Sequence, residues 1–223
     1  MTSKGKDYKY IIFDLDGTLS DPSKGIFNGF RHALNKMAVQ NIDESVFTLM
    51  IGPPLQTSFK KHFFSEDAEI EQAVKHFREY YSVTGLFENT VYDGIPNLLE
   101  NLKENGRTLF VATNKPQPFA ISILKHFKLD AYFDSIHGVD ISNSASNKEE
   151  LVELILKKIP DSELSGTVIV GDTLYDVQAG KQFGFDTIAL TYGFGSRESL
   201  EKANPTALVD SITALKELLI LVD

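Results

Sequence analysis

The chain has 223 residues, 42% hydrophobic and 24% charged, enough to bury one substantial core or a core plus a small inserted domain. Its 31 acidic residues against 22 Lys and Arg give a formal charge of -9, which argues against a nucleic-acid polymer or an anionic membrane as partner, since both call for a basic footprint. The absence of cysteine excludes disulfides, thiolate metal sites and Cys nucleophiles, and with no apolar run resembling a signal peptide or a membrane span, cytoplasmic residence is the expectation.

In chain order, Tyr10–Leu15 is a short apolar run closed by DG and reads as a buried strand. The next interval has a different texture. Ile26, Phe30, Ala33, Leu34 and Met37, then Ala73, Phe77 and Tyr80, fall at helical spacing with no convincing strand among them. Residues 21–87 therefore read as a small all-helical, four-helix domain inserted after the first strand, with linkers near Ser20–Lys24 and Phe87–Asp93. The remainder, 1–20 and 88–223, alternates helix and strand. Ile95–Asn105 carries a stripe of Ile95, Leu98, Leu99 and Leu102, and the strand Thr108–Thr113 follows. The helix Pro118–His126, strand Ser135–Gly138, helix Glu149–Lys158, strand Thr167–Val170, helix Tyr175–Phe183 and strand Thr187–Leu190 continue the series. It closes with the strand Ala207–Val209 and the helix Ser211–Leu219. This alternation predicts a three-layer α/β core around a mostly parallel sheet.

Functional residues of an open parallel sheet gather where the carboxyl ends of strands meet loops. Asp14 and Asp16 end the first strand, and Thr113, Asn114 and Lys115 end the second. Gly171, Asp172, Thr173 and Asp176 follow the third, and Lys148 stands in the polar segment ISNSASNKEE that begins a helix. Each has an ordinary structural explanation: a DG turn, a solvated helix lysine, a GD turn with a cap. Together they are harder to dismiss, because several unpaired carboxylates at strand ends repel unless something positive is bound.

DLDGT after an apolar strand, the hydroxyl residue at the end of the second strand, the later Lys and GDTLYD resemble the haloacid dehalogenase-like (HAD) hydrolase superfamily, in the same order along nearly the whole chain. The resemblance implies a Rossmann-like core, and the position of the helical insertion is similar to that of the type 1 cap. ATNKP at Ala112–Pro116 looks most like the phosphoglycolate phosphatase-like branch and its nucleotidase relatives. Carried over by motif, Asp14 would be the nucleophile that takes the phosphoryl group, and Asp16 the general acid/base, with its backbone carbonyl on Mg²⁺. Asp14 and Asp172 would be the carboxylate ligands of Mg²⁺, and Asp176 would support the metal or Lys148. Thr113 and Lys148 would contact the phosphoryl oxygens, helped by backbone groups of Leu15, Asp16 and Asn114.

These roles meet the chemical requirements. A carboxylate attacking a phosphate dianion needs Mg²⁺ and Lys to offset like-charge repulsion, and oxygen ligands suit a hard cation. An acid two residues after the nucleophile favours phosphate esters over carbon–halogen bonds, because a poor alkoxide leaving group needs a proton. The expected substrate is a small phosphorylated metabolite or nucleotide. Phosphoglycolate is nominal, with a nucleoside 5'-monophosphate, pyrophosphate, a sugar phosphate or a mutase reaction as alternatives. A phosphate-responsive receiver-like module is the non-enzymatic alternative. It is opposed by an acceptor position on the first strand and by the insertion.

Positions that could choose the substrate are Gly52, Pro53 and Pro54 of IGPPL, which either face substrate or form a helix–helix turn, with Arg31, Gln56, Lys60, Lys115 and Arg197. In YGFGSRESL, Arg197 is a possible contact and Ser196 with Glu198 reads as a local turn or cap. The insert's many Phe residues read as its core, and the sequence leaves monomer and dimer equally open.

Overall fold

Parallel strands covered on both faces need apolar side chains on both, and the short apolar runs of this chain supply them. In a computed structural model that describes residues 6–140 and 147–220, all four residues of β1 (Tyr10–Phe13) are buried. The chain continues through β2 (Ser20–Asp21), α1 (Ser23–Lys36), α2 (Leu55–His62), α3 (Asp67–Tyr81) and β3 (Thr90–Val91). The alternating part follows with α4 (Ile95–Glu104), β4 (Thr108–Pro116), α5 (Gln117–His126), β5 (Ser135–Val139), α6 (Lys148–Leu156) and β6 (Thr167–Gly171). It ends with α7 (Leu174–Gln182), β7 (Asp186–Leu190), α8 (Arg197–Ala203), β8 (Ala207–Val209) and α9 (Ile212–Leu219). Of the polar segment before Lys148, residues 141–146 lie outside the described residues.

Six strands form one sheet in the order β5-β4-β1-β6-β7-β8, every pairing parallel. Tyr10, Ile12, Phe110, Ala112 and Ile169 point to one face, where Leu151, Val152 and Ile155 of α6 and Ala179 of α7 close over them. Ile11, Phe13, Leu109, Val111, Val168 and Val170 alternate with these and are equally buried. The register aligns Phe13 with Val111 on one side and Val170 on the other. Asp14, Thr113 and Asp172 thus emerge within two residues of a common line across three adjacent strands. The parallel α/β core with a helical cap inserted after the first strand is the architecture expected from the sequence.

The chain forms two compact units, one reaching to Ser20 and resuming at Val91, the other spanning Asp21–Thr90. The inserted unit extends past the expected residue 87 because Glu88 is tied into it. Its carbonyl accepts from Gly25 N at 2.9 Å and its carboxylate from Asn28 and Tyr80, both at 2.9 Å. Three α-helices and a 3-10 helix, Glu44–Met50, make up its four larger helical segments. Phe30 is its centre: fully buried, with ring centroids 5.0 Å from Phe77, 5.4 Å from Phe47 and 5.6 Å from Phe59. Such clusters contribute through both area and ring geometry. Phe30→Ala should cost this unit about 3–5 kcal/mol, read as a lower urea midpoint for insert-localised probes. A loss below about 1 kcal/mol would contradict this account of its core.

Candidate active site

The site is built from the turns that follow β1 and β6, the last residues of β4 and the first turns of α6 and α7, all within the core unit. After β1 the chain turns at once. The Leu15 carbonyl accepts from Thr18, Leu19 and Ser20 N–H at 2.8–3.2 Å, and Gly17 adopts φ +82°. A Cβ at Gly17 would also lie 2.1 Å from Asp172 Oδ2, so both the turn and the close approach require glycine. Asp14 is held at the strand end by its own N–H, which donates to the Val170 carbonyl at 2.9 Å.

Lys148 is the first residue of α6, placed there by the Asn147 side chain, which caps the helix by accepting from Glu150 N at 3.0 Å. Its ammonium is buried between two acids, 3.0 Å from Asp14 Oδ2 and 2.5 Å from Asp176 Oδ1. Burial opposes the Lys148 charge, but Asp14 and Asp176 outweigh it and hold its proton affinity well above the ordinary range. Asp176 does two things at once. Its Oδ2 accepts from Thr173 N at 3.0 Å and Thr173 Oγ1 at 2.7 Å, completing a capping box at the start of α7.

Asp172 is fully buried, with Oδ1 accepting from Thr18 Oγ1 at 3.1 Å and Oδ2 from Phe194 N at 2.7 Å. Carboxylate oxygens of Asp14, Asp172 and Asp176 lie within 4.8 Å of one another. Burial, reinforced by the other two acids, pushes Asp172 up to about 8. Burial also lifts Asp14, to about 6, against the pull of Lys148. A compact, buried set of oxygen donors suits a hard divalent cation, which would replace the protons that Asp14 and Asp172 hold.

The other expected residues fall as follows. Thr113 is buried, and its Oγ1 accepts from Lys115 N at 3.2 Å, leaving the hydroxyl proton free to donate. Leu15 N donates to Asp14 Oδ1 at 2.8 Å. Asn114 is exposed. Lys115, expected on the substrate side, is buried and ion-paired to Asp16. Arg197 is exposed and bonds Glu201 one turn along α8. Within the inserted unit, Arg31 is committed to both carboxylate oxygens of Glu44 and to Asn28 Oδ1, each at 2.6 Å. Gly52 adopts φ +100°, while Pro53, Pro54, Gln56 and Lys60 are exposed, Lys60 lying 3.5 Å from Asp67.

Sequence reasoning drew on DLDGT and YGFGSRESL but gave no role to Thr18, Tyr192 or the Phe194 backbone within them. Tyr192 OH donates to the Thr18 carbonyl at 3.0 Å, bracing the turn that aims Thr18 at Asp172. The available signal was the GFG triplet. A Cβ on Gly193 would lie 2.3 Å from Asp172 Cβ, and one on Gly195 2.0 Å from the Asp172 carbonyl oxygen.

Buried carboxylates at the central strand ends of a parallel sheet, a buried lysine from the start of α6 between two of them, and a helical cap inserted after β1 define an enzyme of the phosphatase type. The chain belongs to the haloacid dehalogenase-like hydrolases, whose family pattern it matches over residues 11–190. A 5'-nucleotidase of Pseudomonas aeruginosa is 39% identical to it over 215 residues, 95% of this chain and 96% of that protein. The tyrosine-protein kinase PtkA of Mycobacterium tuberculosis is 34% identical over 213 residues, 95% of this chain and 72% of that one. A crystal structure from Clostridium difficile has a TM-score of 0.91 at 37% identity, covering 96% of this chain and 100% of that chain. No helix among the described residues is long and apolar enough to cross a membrane.

The raised carboxyls set a pH dependence. Free aspartate ionises near pH 3.9, so between about pH 4 and 8 the folded, ion-free protein holds protons that the unfolded chain has released. These groups make stability fall as pH rises through that window. In EDTA, wild type should show a steeper fall in thermal midpoint between pH 5 and 8 than Asp172→Asn, and stabilisation by millimolar Mg²⁺ should grow over the same range. Identical slopes for the two proteins would refute the assignment.

Proposed function

We propose that the protein is a magnesium-dependent phosphomonoesterase acting on nucleoside 5'-monophosphates. The observation that carries the mechanism is the buried Lys148 ammonium shared by Asp14 and Asp176 beside Asp172. It favours the ionised Asp14 that a nucleophile requires, in an environment whose burial otherwise opposes ionisation. The nucleotide rather than phosphoglycolate is favoured by the 39% identical 5'-nucleotidase, which is matched along nearly its whole length.

An Asp14 oxygen attacks phosphorus in line as the bond to the ester oxygen breaks, and Asp16 gives that oxygen a proton. A water molecule then attacks the aspartyl-phosphate, Asp16 takes its proton, and the bond to Asp14 breaks to release phosphate. Thr113 donates its hydroxyl proton to a phosphoryl oxygen, and Lys148 balances the charge of the transferring group. The N–H groups of Asp16 and Asn114 lie at the same strand ends and complete the cradle, while the Leu15 N–H stays on Asp14 Oδ1. Asp14, Asp172 and the Asp16 carbonyl would hold Mg²⁺, with Asp176 orienting Lys148 behind them. When bound, the ion supplies charge neutralisation for the phosphoryl oxygens.

ATNKP, which resembles both the phosphoglycolate phosphatases and their nucleotidase relatives, keeps phosphoglycolate as the second substrate. A phosphate-release screen over nucleoside monophosphates, phosphoglycolate, sugar phosphates and pyrophosphate decides between them, with kcat/KM expected at least tenfold higher for a nucleoside 5'-monophosphate. Asp14→Asn should lower Mg²⁺-dependent release from every substrate by 10³-fold or more while keeping the wild-type melting profile. Release that persists in Asp14→Asn removes the covalent mechanism. A preference for phosphoglycolate removes only the substrate.

A further inference from the structure

β4 does not stop at Thr113. It runs on to Pro116, with a break in its register against β5 between Thr113 and Pro116. Residues two apart in extended chain point the same way, so Lys115 follows Thr113 inward while Asn114 between them is exposed. The Lys115 side chain is 5% exposed, and its ammonium pairs with Oδ2 of Asp16. The other oxygen of that carboxylate, Oδ1, is buried and has no hydrogen-bond partner among the described residues.

We propose that Lys115 is a positioning residue for Asp16: it anchors Oδ2 and thereby aims Oδ1, the oxygen that exchanges the proton with the leaving group and then with water. The inference rests on Asp16 being the acid/base of the proposed mechanism and adds to it the residue that fixes its geometry. As the Asp14–phosphorus bond forms and the ester bond breaks, the proton on Oδ1 passes to the departing oxygen. As water attacks, Oδ1 takes a water proton, the Asp14–phosphorus bond breaks, and the site returns to its starting state.

Two plainer roles fit less well. A buried ion pair is a poor stabilising device, because desolvation offsets most of its attraction. A lysine reserved for the far end of a substrate would not have its nitrogen on Asp16. With Oδ1 of Asp16 unpartnered, the Lys115 ammonium on Oδ2 is the restraint that the structure shows on this carboxylate.

The test uses leaving-group dependence, since a general acid matters for alkoxides and hardly at all for activated phenolates. With Mg²⁺ present, kcat/KM, which covers steps through leaving-group release, is measured for 2,4-dinitrophenyl phosphate and for an alkyl phosphate such as glycerol phosphate. Lys115→Met should lower the alkyl-to-aryl ratio by about thirtyfold or more, Lys115→Arg should restore most of it, and Asp16→Asn should reproduce the selective loss. Lys115→Gln provides a second neutral variant, and an unchanged Mg²⁺-induced thermal shift certifies that each variant is folded. If Asp16→Asn is selective but the folded neutral variants at 115 leave the ratio at wild type, the positioning role is overturned and the acid/base reading stands. If Asp16→Asn slows both esters equally, the acid/base reading itself fails.

Discussion

Everything at this site depends on one buried ammonium. Asp14, Asp172 and Asp176 bring three carboxyl groups into a space where like charges cannot be screened by water, and Lys148 is the cation placed between two of them. With all four groups ionised, three negative charges against one positive leave two uncompensated, the complement of a divalent cation. The raised proton affinities of Asp14 and Asp172 express the same imbalance: in the protein alone, protons make up the difference. A site that keeps Asp14 paired to an ammonium and Asp172 proton-hungry has the charge balance to accept a dication.

Holding such an arrangement demands backbone precision more than side-chain variety. Asp172 is enclosed by Gly17, Gly193 and Gly195, each so close that an added methyl group would collide with it. Its two oxygens are fixed by a hydroxyl and a main-chain N–H, which orient it without adding charge. Asp176 joins electrostatics to secondary structure, since the carboxyl that meets Lys148 also caps α7. A change there would disturb a helix start and the ammonium that pairs with Asp14 together.

What was readable in the sequence follows from where the information resides. β1, β4 and β6 are buried on both faces, so their apolar runs stand out, and a parallel sheet puts their carboxyl ends side by side. The acids and lysine after those runs were therefore legible as a set. β2 and β3, at two residues each, carry no periodicity and exist through pairing. α8, seven residues long, showed only its Ser196 cap in advance. Phe194 was missed because it acts through its N–H, which every residue but proline possesses. The partners of Lys115 and Arg31 were hidden for a different reason. Asp16 lies 99 residues from Lys115, and Glu44, 13 from Arg31, sits on a different helical segment, so only the path of the folded chain brings each pair together.

The short pairing of β2 with β3 has a consequence for how the chain folds. It joins the points at which the chain departs for the inserted unit and returns from it, so the two ends of a long excursion are pinned beside each other. The entropy lost in closing a loop rises only logarithmically with its length, and a segment that orders itself with its own termini together has already lost it. To the growing sheet, the whole helical domain between β1 and α4 is then topologically a hairpin turn. An entire domain there adds little to the effective contact order of the core, and a second fold can occupy the middle of the first without delaying the assembly of its central strands.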